Sequence, residues 1–322
     1  MRYELHASTV FAALAALAVT HAASAETLSE RRASRDKLKE VSLEVACGRA
    51  DKENCAVVVP EVNVRTVANQ VRLTPLESKG SVESIKGLCD GDVNVAVVQA
   101  DAYAALSRST SCSGKLAVLG PPVYPYLGFM VVSNERKSKD SFQGMVENPA
   151  EGKVLRIAAG GPGSGGELTL RTVLNQHPDW KSRVSIEPDG ADTALNKVAD
   201  GQLDAFFVMD APKSPLIDLV RQTTNPKTHK PTFKFVDFRP SGATKEMTFN
   251  NGWPVYATMT VAPGVFSSTK TIATPAITAV RNDWYQGNSH VASVIRQGLE
   301  DASATIAAGT GAPTEWKNSF TR

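Results

Sequence analysis

The chain has 322 residues, 42 % of them hydrophobic, and a net charge of +2, which is enough apolar material for two cores of ordinary domain size. No basic run is interleaved with aromatics, which argues against nucleic acid as a partner. Beyond the N-terminus no stretch reaches the about 18 consecutive apolar residues that a membrane-spanning helix needs.

In chain order, Arg2 precedes an apolar run from Val10 to Val19, and Ala23-Ser24-Ala25 then leads to Glu26. This is the layout of a secretory signal with an A-x-A cleavage site, so residues 1–25 are expected to be removed and the mature protein to be periplasmic. Glu4 offsets Arg2, and a retained amphipathic segment is the alternative. The first predicted strand, Val41 to Ala46, ends at Cys47, and the charged stretch Gly48 to Val59 contains Cys55. With Cys89 and Cys112 the cysteines number four, an even count that in an exported chain favours two disulfides. Of three possible pairings, Cys47 with Cys55 and Cys89 with Cys112 is preferred. The rival reading, zinc, lacks a C-x-x-C pair or a nearby histidine.

A second strand, Val71 to Glu77, is followed by Gly80-Ser81 opening a helix, an Asp90-Gly91 turn and a strand Val95 to Gln99. The pattern returns 110 residues later, from Gly190 to Leu195, through Asp200-Gly201, into Ala205 to Asp210. Each copy reads as helix, Asp-Gly turn, buried strand. A common supersecondary preference is one explanation, and two facing α/β domains of the same topology are the other. Further strands are expected at Leu127 to Val132, Val154 to Ala159, Val184 to Glu187 and Phe233 to Phe238. Alternation with helices implies parallel sheets covered on both faces, with ligands bound beyond the carboxyl ends of the strands.

The polar residues 134–152, with Gly144, Pro149 and Gly152, are expected to hold the first crossover between domains. A return strand at Tyr256 to Val261, after the Asn250-Asn251-Gly252 turn, would be the second. This assigns residues 26–135 plus 256–322 to domain I and 136–255 to domain II. From Thr274 onward the chain reads as helical, with Ile277, Val280 and Trp284 at helical spacing and then Val291 to Leu299, packing back on the first domain.

Between the strand ending at Ala159 and the helical run Glu167 to Leu174 lies Gly160-Gly161-Pro162-Gly163-Ser164-Gly165-Gly166. Strand, glycine turn and helix make an anion site, because the first amides of a helix have no partners inside it. A P-loop would need lysine and serine or threonine after the last glycine, where Glu167 and Leu168 stand. Gly161, Gly163 and Gly166 do satisfy G-x-G-x-x-G, with Glu187 at the end of the next strand, so an exported nucleotide-dependent enzyme is the alternative function. Ser164 as a nucleophile lacks the first glycine of G-x-S-x-G, and neither His177 nor His290 is a convincing base.

Gly80-Ser81, Asp90-Gly91, the run Val97-Val98-Gln99-Ala100-Asp101-Ala102-Tyr103, Tyr124-Pro125-Tyr126, the glycine turn, and Asp200-Gly201 leading to Asp204-Ala205-Phe206-Phe207 together resemble the TAXI-type solute-binding proteins associated with TRAP transporters. The resemblance covers roughly residues 70–262. It implies a periplasmic binding protein fold, in which two doubly wound α/β domains are joined by a two-segment hinge with the ligand cleft between them. It also implies a non-enzymatic, cofactor-free, monomeric receptor that delivers a small organic anion, a dicarboxylate or acidic amino acid such as glutamate or 2-oxoglutarate, to a TRAP-type membrane permease. A solute sensor without a permease is a variant of that reading. The charged stretch after the first strand departs from the glycine- and tyrosine-containing turn that the family usually has there.

Residue chemistry and resemblance select the same contacts. Ser164, Gly165, Gly166 and Glu167 would offer amides, and Ser164 its hydroxyl, to a carboxylate, with Gly163 also in the ligand-binding turn. Gly80 and Ser81 make a second helix N-terminus, Gln99 can donate and accept hydrogen bonds, and Asp101 would orient a ligand amine or cap a helix. Tyr124, Tyr126 and Trp253 are loop aromatics suited to closing over a small molecule, and Met209 and Asp210 hold the place in the second half that Gln99 and Ala100 hold in the first. Arg49 is the nearest basic candidate.

Overall fold

The computed structural model describes residues 40–135, 141–149, 153–240, 254–261 and 269–320. The expected signal peptide, the Asn250-Asn251-Gly252 turn and Trp253 lie outside the described residues. The chain divides into the unit Met1–Glu40 and the unit Val41–Arg322, and the second holds every element that follows.

Strand β1 (Val41–Gly48) is followed by a π-helical turn (Asn54–Val58) that runs into helix α1 (Val59–Thr66). A disulfide between Cys47 and Cys55 staples the end of the strand to the start of the helix. Then come β2 (Val71–Glu77), α2 (Ser81–Asp90), β3 (Val95–Gln99) and α3 (Ala100–Leu106). The second disulfide, Cys89 to Cys112, ties the last turn of α2 to the loop after α3, so the preferred pairing is the one formed. Next are β4 (Leu116–Leu119), β5 (Pro125–Ser133), α4 (Phe142–Glu147), β6 (Leu155–Ala158), α5 (Gly165–Gln176), α6 (Pro178–Lys181), β7 (Val184–Glu187), α7 (Ala191–Ala199) and β8 (Ala205–Asp210). The chain continues through α8 (Pro215–Gln222), β9 (Phe233–Val236), β10 (Ala257–Val261), β11 (Thr269–Arg281), α9 (Asn282–Gly287) and α10 (Ser289–Thr310). No helix among the described residues is long and apolar enough to cross a membrane.

Both copies of the repeat take the conformation their residues call for. Helices α2 and α7 end in turns where Gly91 and Gly201 adopt φ of +91° and +72°, the left-handed region that a side chain disfavours. Each turn delivers the chain into a strand buried on both faces. Along β3, Val95 and Val97 join a core with Val59 and Val62 of α1 and Ile295 and Leu299 of α10, whereas Ala96 and Val98 join Ile85 and Leu88 of α2 on the other face. The same alternation splits β8, with Phe207 and Met209 on one side and Phe206 against Ala194, Leu195 and Val198 of α7 on the other. Helices therefore cover both faces of the sheet.

The sheet has the order β2-β1-β3-β11-β5-β8-β6-β7, with β4 and β10 pairing β11 and β9 pairing β5. Strand β1 is parallel to β2 and β3, and β6 is parallel to β7 and β8, as the α/β alternation predicts. Strands β5 and β11 correct the expectation of wholly parallel sheets, because they run antiparallel to all their neighbours. Strand β11 pairs with β10 and β5 through its first half and with β3 and β4 through its second, so it joins the two halves of the sheet.

A second correction concerns the same segment. Residues from Thr274 were expected to be helical, yet they belong to β11, and the helix begins only at Asn282. Every residue from Thr271 to Val280 is buried, so the strand shows no two-residue alternation, and its apolar spacing also fits one face of a helix. The tail beyond it does pack back as expected. Helix α10 lies so close to α1 that a Cβ on Gly298 would stand 2.8 Å from Thr66 and 3.2 Å from Val62.

Candidate functional site

A cavity of about 360 Å³ opens at the carboxyl ends of β1, β3, β6 and β8. Three helix N-termini border it, α2 at Gly80 and Ser81, α5 at Ser164 to Gly166, and α7 at Gly190 and Ala191. First-turn amides have no partners within their helix, and the positive end of each peptide-dipole array faces the cavity.

The N-terminus of α5 is capped from both sides, by the side chains of Ser164 and Glu167. Ser164 Oγ accepts from the Glu167 amide at 3.2 Å, and the Glu167 carboxylate accepts from the Gly163 amide at 2.7 Å. The Ser164 hydroxyl donates to the Ala159 carbonyl at 3.0 Å, so its proton is committed to the chain. It is thus neither the free ligand donor that the sequence suggested nor a base-activated nucleophile. Gly165 and Gly166 supply the amides ahead of the first intrahelical bond, which runs from Leu168 to the Ser164 carbonyl at 3.1 Å. At the start of α2, Ser81 Oγ accepts from the Gln99 amide at 3.0 Å. The starts of α2 and α5 lie close together, since a Cβ on Gly80 would stand 3.5 Å from the Gly163 carbonyl oxygen and 3.6 Å from Ser164 Cα. Gly80 has a φ of +138°, open to glycine alone at little cost.

Lys52 reaches in from the loop after β1, and its Nζ lies 2.7 Å from Asp210 Oδ2 at the end of β8. Asp210 is 1 % exposed, and its other oxygen accepts from the Ala211 amide at 3.0 Å. Glu53, 4 % exposed, lies against Asp210 with Oε2 unpartnered. Burial, reinforced by the Asp210 charge, pushes the Glu53 carboxyl up to about 8, so it holds its proton at neutral pH. Next to it, Asn54 Nδ2 donates to the Val97 carbonyl at 3.0 Å, and Asn54 Oδ1 accepts from the Tyr124 hydroxyl at 2.9 Å. Tyr126 packs 4.8 Å from Tyr124, ring to ring. On the rim Arg49 pairs with Asp51 at 2.9 Å and Lys79 lies 3.9 Å from Glu83.

The protonated Glu53 has a measurable consequence. In the unfolded chain its carboxyl ionises near the ordinary 4.5, so between there and about 8 the folded protein holds a proton that the unfolded one has released. Stability is therefore expected to fall as pH rises through this window. Glu53→Gln is expected to flatten the decline, which midpoints of thermal unfolding between pH 5 and 9 would record.

The cavity brings together Gly80, Ser81, Gln99, Tyr126, Ser164, Gly165, Gly166, Met209 and Asp210 of the sequence-derived set, together with Arg49. Asp101, Tyr124 and Gly163 lie outside its lining. Asp101 is fully buried, and its carboxylate receives the Thr169 and Tyr256 hydroxyls at 2.6 and 2.9 Å and the Ala102 amide at 2.8 Å. Tyr124 supports Asn54 from behind, and Gly163 faces Val82. Lys52, Asn54, Lys79 and the start of α7 also line the cavity. The repeat carried a signal for the last of these, since Gly190 stands where Gly80 stands in the first copy. Lys52 had no such signal beyond its place between Cys47 and Cys55.

Two of the residues weighed for other chemistries have structural partners, and a third faces solvent. Glu187 receives the Ser185 hydroxyl at 3.1 Å and Arg156 Nε at 3.4 Å. His177 stacks on Trp180 at 4.0 Å, and His290 is exposed on α10.

No curated protein matches the sequence. The fold is that of known structures. A protein from Bordetella bronchiseptica RB50 aligns with a TM-score of 0.53 at 15% identity, over 88% of this chain and 81% of that one. The probable amino-acid ABC transporter extracellular-binding protein ytmK from Bacillus subtilis gives 0.51 at 13% identity, over 84% and 98%. The alkanesulfonate-binding protein SsuA from Xanthomonas axonopodis pv. citri, bound to MOPS, gives 0.50 at 14%, over 88% and 84%. These likenesses establish the mixed α/β fold of periplasmic binding proteins. The family model matching residues 58–300 is that of the NMT1-like family, to which the chain belongs.

Proposed function

We propose that the protein is a periplasmic solute-binding receptor, without catalytic activity, that captures a small organic anion such as a dicarboxylate or acidic amino acid and hands it to a TRAP-type permease. The observation that carries this reading is the convergence of three helix N-termini on one cavity, with Lys52, Arg49 and Lys79 beside them. The two halves of the sheet that meet at β11 would close on the solute, with the starts of α2 and α5 pressed together. Its TAXI-like segments support delivery to a TRAP permease, and the alkanesulfonate-binding protein that shares its fold takes an anionic solute.

The test is a thermal-shift screen of the mature chain, stripped of co-purifying solute by unfolding and refolding, against dicarboxylates, amino acids, alkanesulfonates and sugar acids. A true ligand at a hundredfold excess over its Kd adds about 2.7 kcal/mol, hence a midpoint rise of about 5–10 °C, with no turnover. No rise across the panel refutes the receptor reading. A rise with NAD or NADP would favour the nucleotide reading.

A further inference from the structure

We propose that the solute carries a hydrogen-bond donor, an amine or a hydroxyl, on the carbon next to the carboxylate held at the start of α5, and that Gln99 is the residue that reads it. The inference rests on the receptor reading above and names the solute more closely.

Gln99 ends β3, lines the cavity and is 3 % exposed. Its backbone amide is bound by Ser81, but its side-chain Oε1 has no partner. The side-chain amide lies against Gly165, where an added Cβ would run into it, so Oε1 stands beside the first-turn amides of α5. A carboxylate bound by the Gly165 and Gly166 amides therefore brings its adjacent carbon next to an empty acceptor.

Several donors among the described residues that line the cavity are already committed. Lys52 is held by Asp210, the Asn54 amide by Val97 and the Ser164 hydroxyl by Ala159. A buried acceptor without a donor is costly, and a donor arriving with the solute removes that cost. In the orientation the Gln99 amide has here, a 2-oxo group would set one oxygen against another, and a methylene would leave Oε1 bare. The site thus separates 2-amino and 2-hydroxy acids from 2-oxo and unsubstituted acids of the same length.

Calorimetric titration of the refolded protein with matched sets tests this. The sets are alanine, lactate, pyruvate and propionate; aspartate, malate, oxaloacetate and succinate; and glutamate, 2-hydroxyglutarate, 2-oxoglutarate and glutarate. Within the set that binds, the amino or the hydroxy acid is expected to bind about tenfold or more tightly than the oxo and unsubstituted members, and the two arms identify which donor is used. Gln99→Leu, or Gln99→Met should the first fail to fold, is expected to shrink that ratio to within about threefold while the unsubstituted acid still binds. Equal affinities, preference for the 2-oxo acid, or a preference that survives the Gln99 variants would overturn the inference. If no set binds while another anion does, the inference fails and the receptor reading stands. If nothing binds, both fail.

Discussion

Replacing Asp101 with alanine is expected to lower stability by about 3–4 kcal/mol and the unfolding midpoint by about 10 °C. One carboxylate joins three segments, because Asp101 lies on α3, Thr169 on α5 and Tyr256 just before β10. Burial pushes its pKa up, and the hydrogen bonds from Thr169, Tyr256 and Ala102 oppose that rise. Truncation leaves two buried hydroxyls without their acceptor and opens a cavity, and each unsatisfied donor costs about 1–3 kcal/mol. Asp101→Asn is expected to lose less, since it keeps the volume but sets its amide donor against the Ala102 or the hydroxyl donors. Urea unfolding of Asp101→Ala, Thr169→Val and the double variant would measure the coupling, expected to be strongly non-additive. A loss below about 1 kcal/mol for Asp101→Ala would show that the network contributes little.

Gly166→Ala is expected to cost about 2 kcal/mol, a midpoint fall of about 5 °C, and to weaken solute binding as well. The added Cβ would stand 2.8 Å from the Ala159 carbonyl oxygen, 3.4 Å from that of Phe207 and 3.6 Å from the Met209 amide. All three are backbone atoms, in β8 or just past the end of β6, so α5 must move outward and carry its first amides out of position. Its neighbour behaves differently. The three atoms nearest an added Cβ on Gly165 all belong to the flexible side-chain end of Gln99, and alanine gains up to about 1 kcal/mol of helix propensity. The stability of Gly165→Ala is expected to stay within about 1 kcal/mol of the parent while solute affinity drops, because Gln99 is pushed from its place beside the α5 amides. Equal thermal midpoints for the two variants would contradict this division between a packing glycine and a site glycine.

Much of the architecture was legible along the chain because it rests on local rules. The Asp-Gly turns at Asp90-Gly91 and Asp200-Gly201, the helices before them and the strands after them follow from short-range patterns. The start of α5 after the glycine turn follows likewise, but the role of Ser164 does not, since its hydroxyl caps the helix where the sequence offered it to a ligand. The disulfides formed are the pairing preferred among the three possible ones, and each joins cysteines that are successive along the chain. Strand β11 escaped because a strand buried on both faces has no period of its own.

The site divides along the same line. By itself the sequence determined the glycine turn, the helix N-termini at Gly80 and Ser164, and the strand ends at Gln99 and Asp210, because each is a matter of neighbouring residues. Only the tertiary structure decided that Asp101 serves as a buried tie, that Lys52 reaches Asp210 across 158 positions of chain, and that Glu53 is left without a counter-ion of its own. Those outcomes depend on burial and on partners far apart in the chain. Burial together with the neighbouring Asp210 keeps the Glu53 carboxyl protonated, and folding alone brings the distant partners within hydrogen-bonding reach.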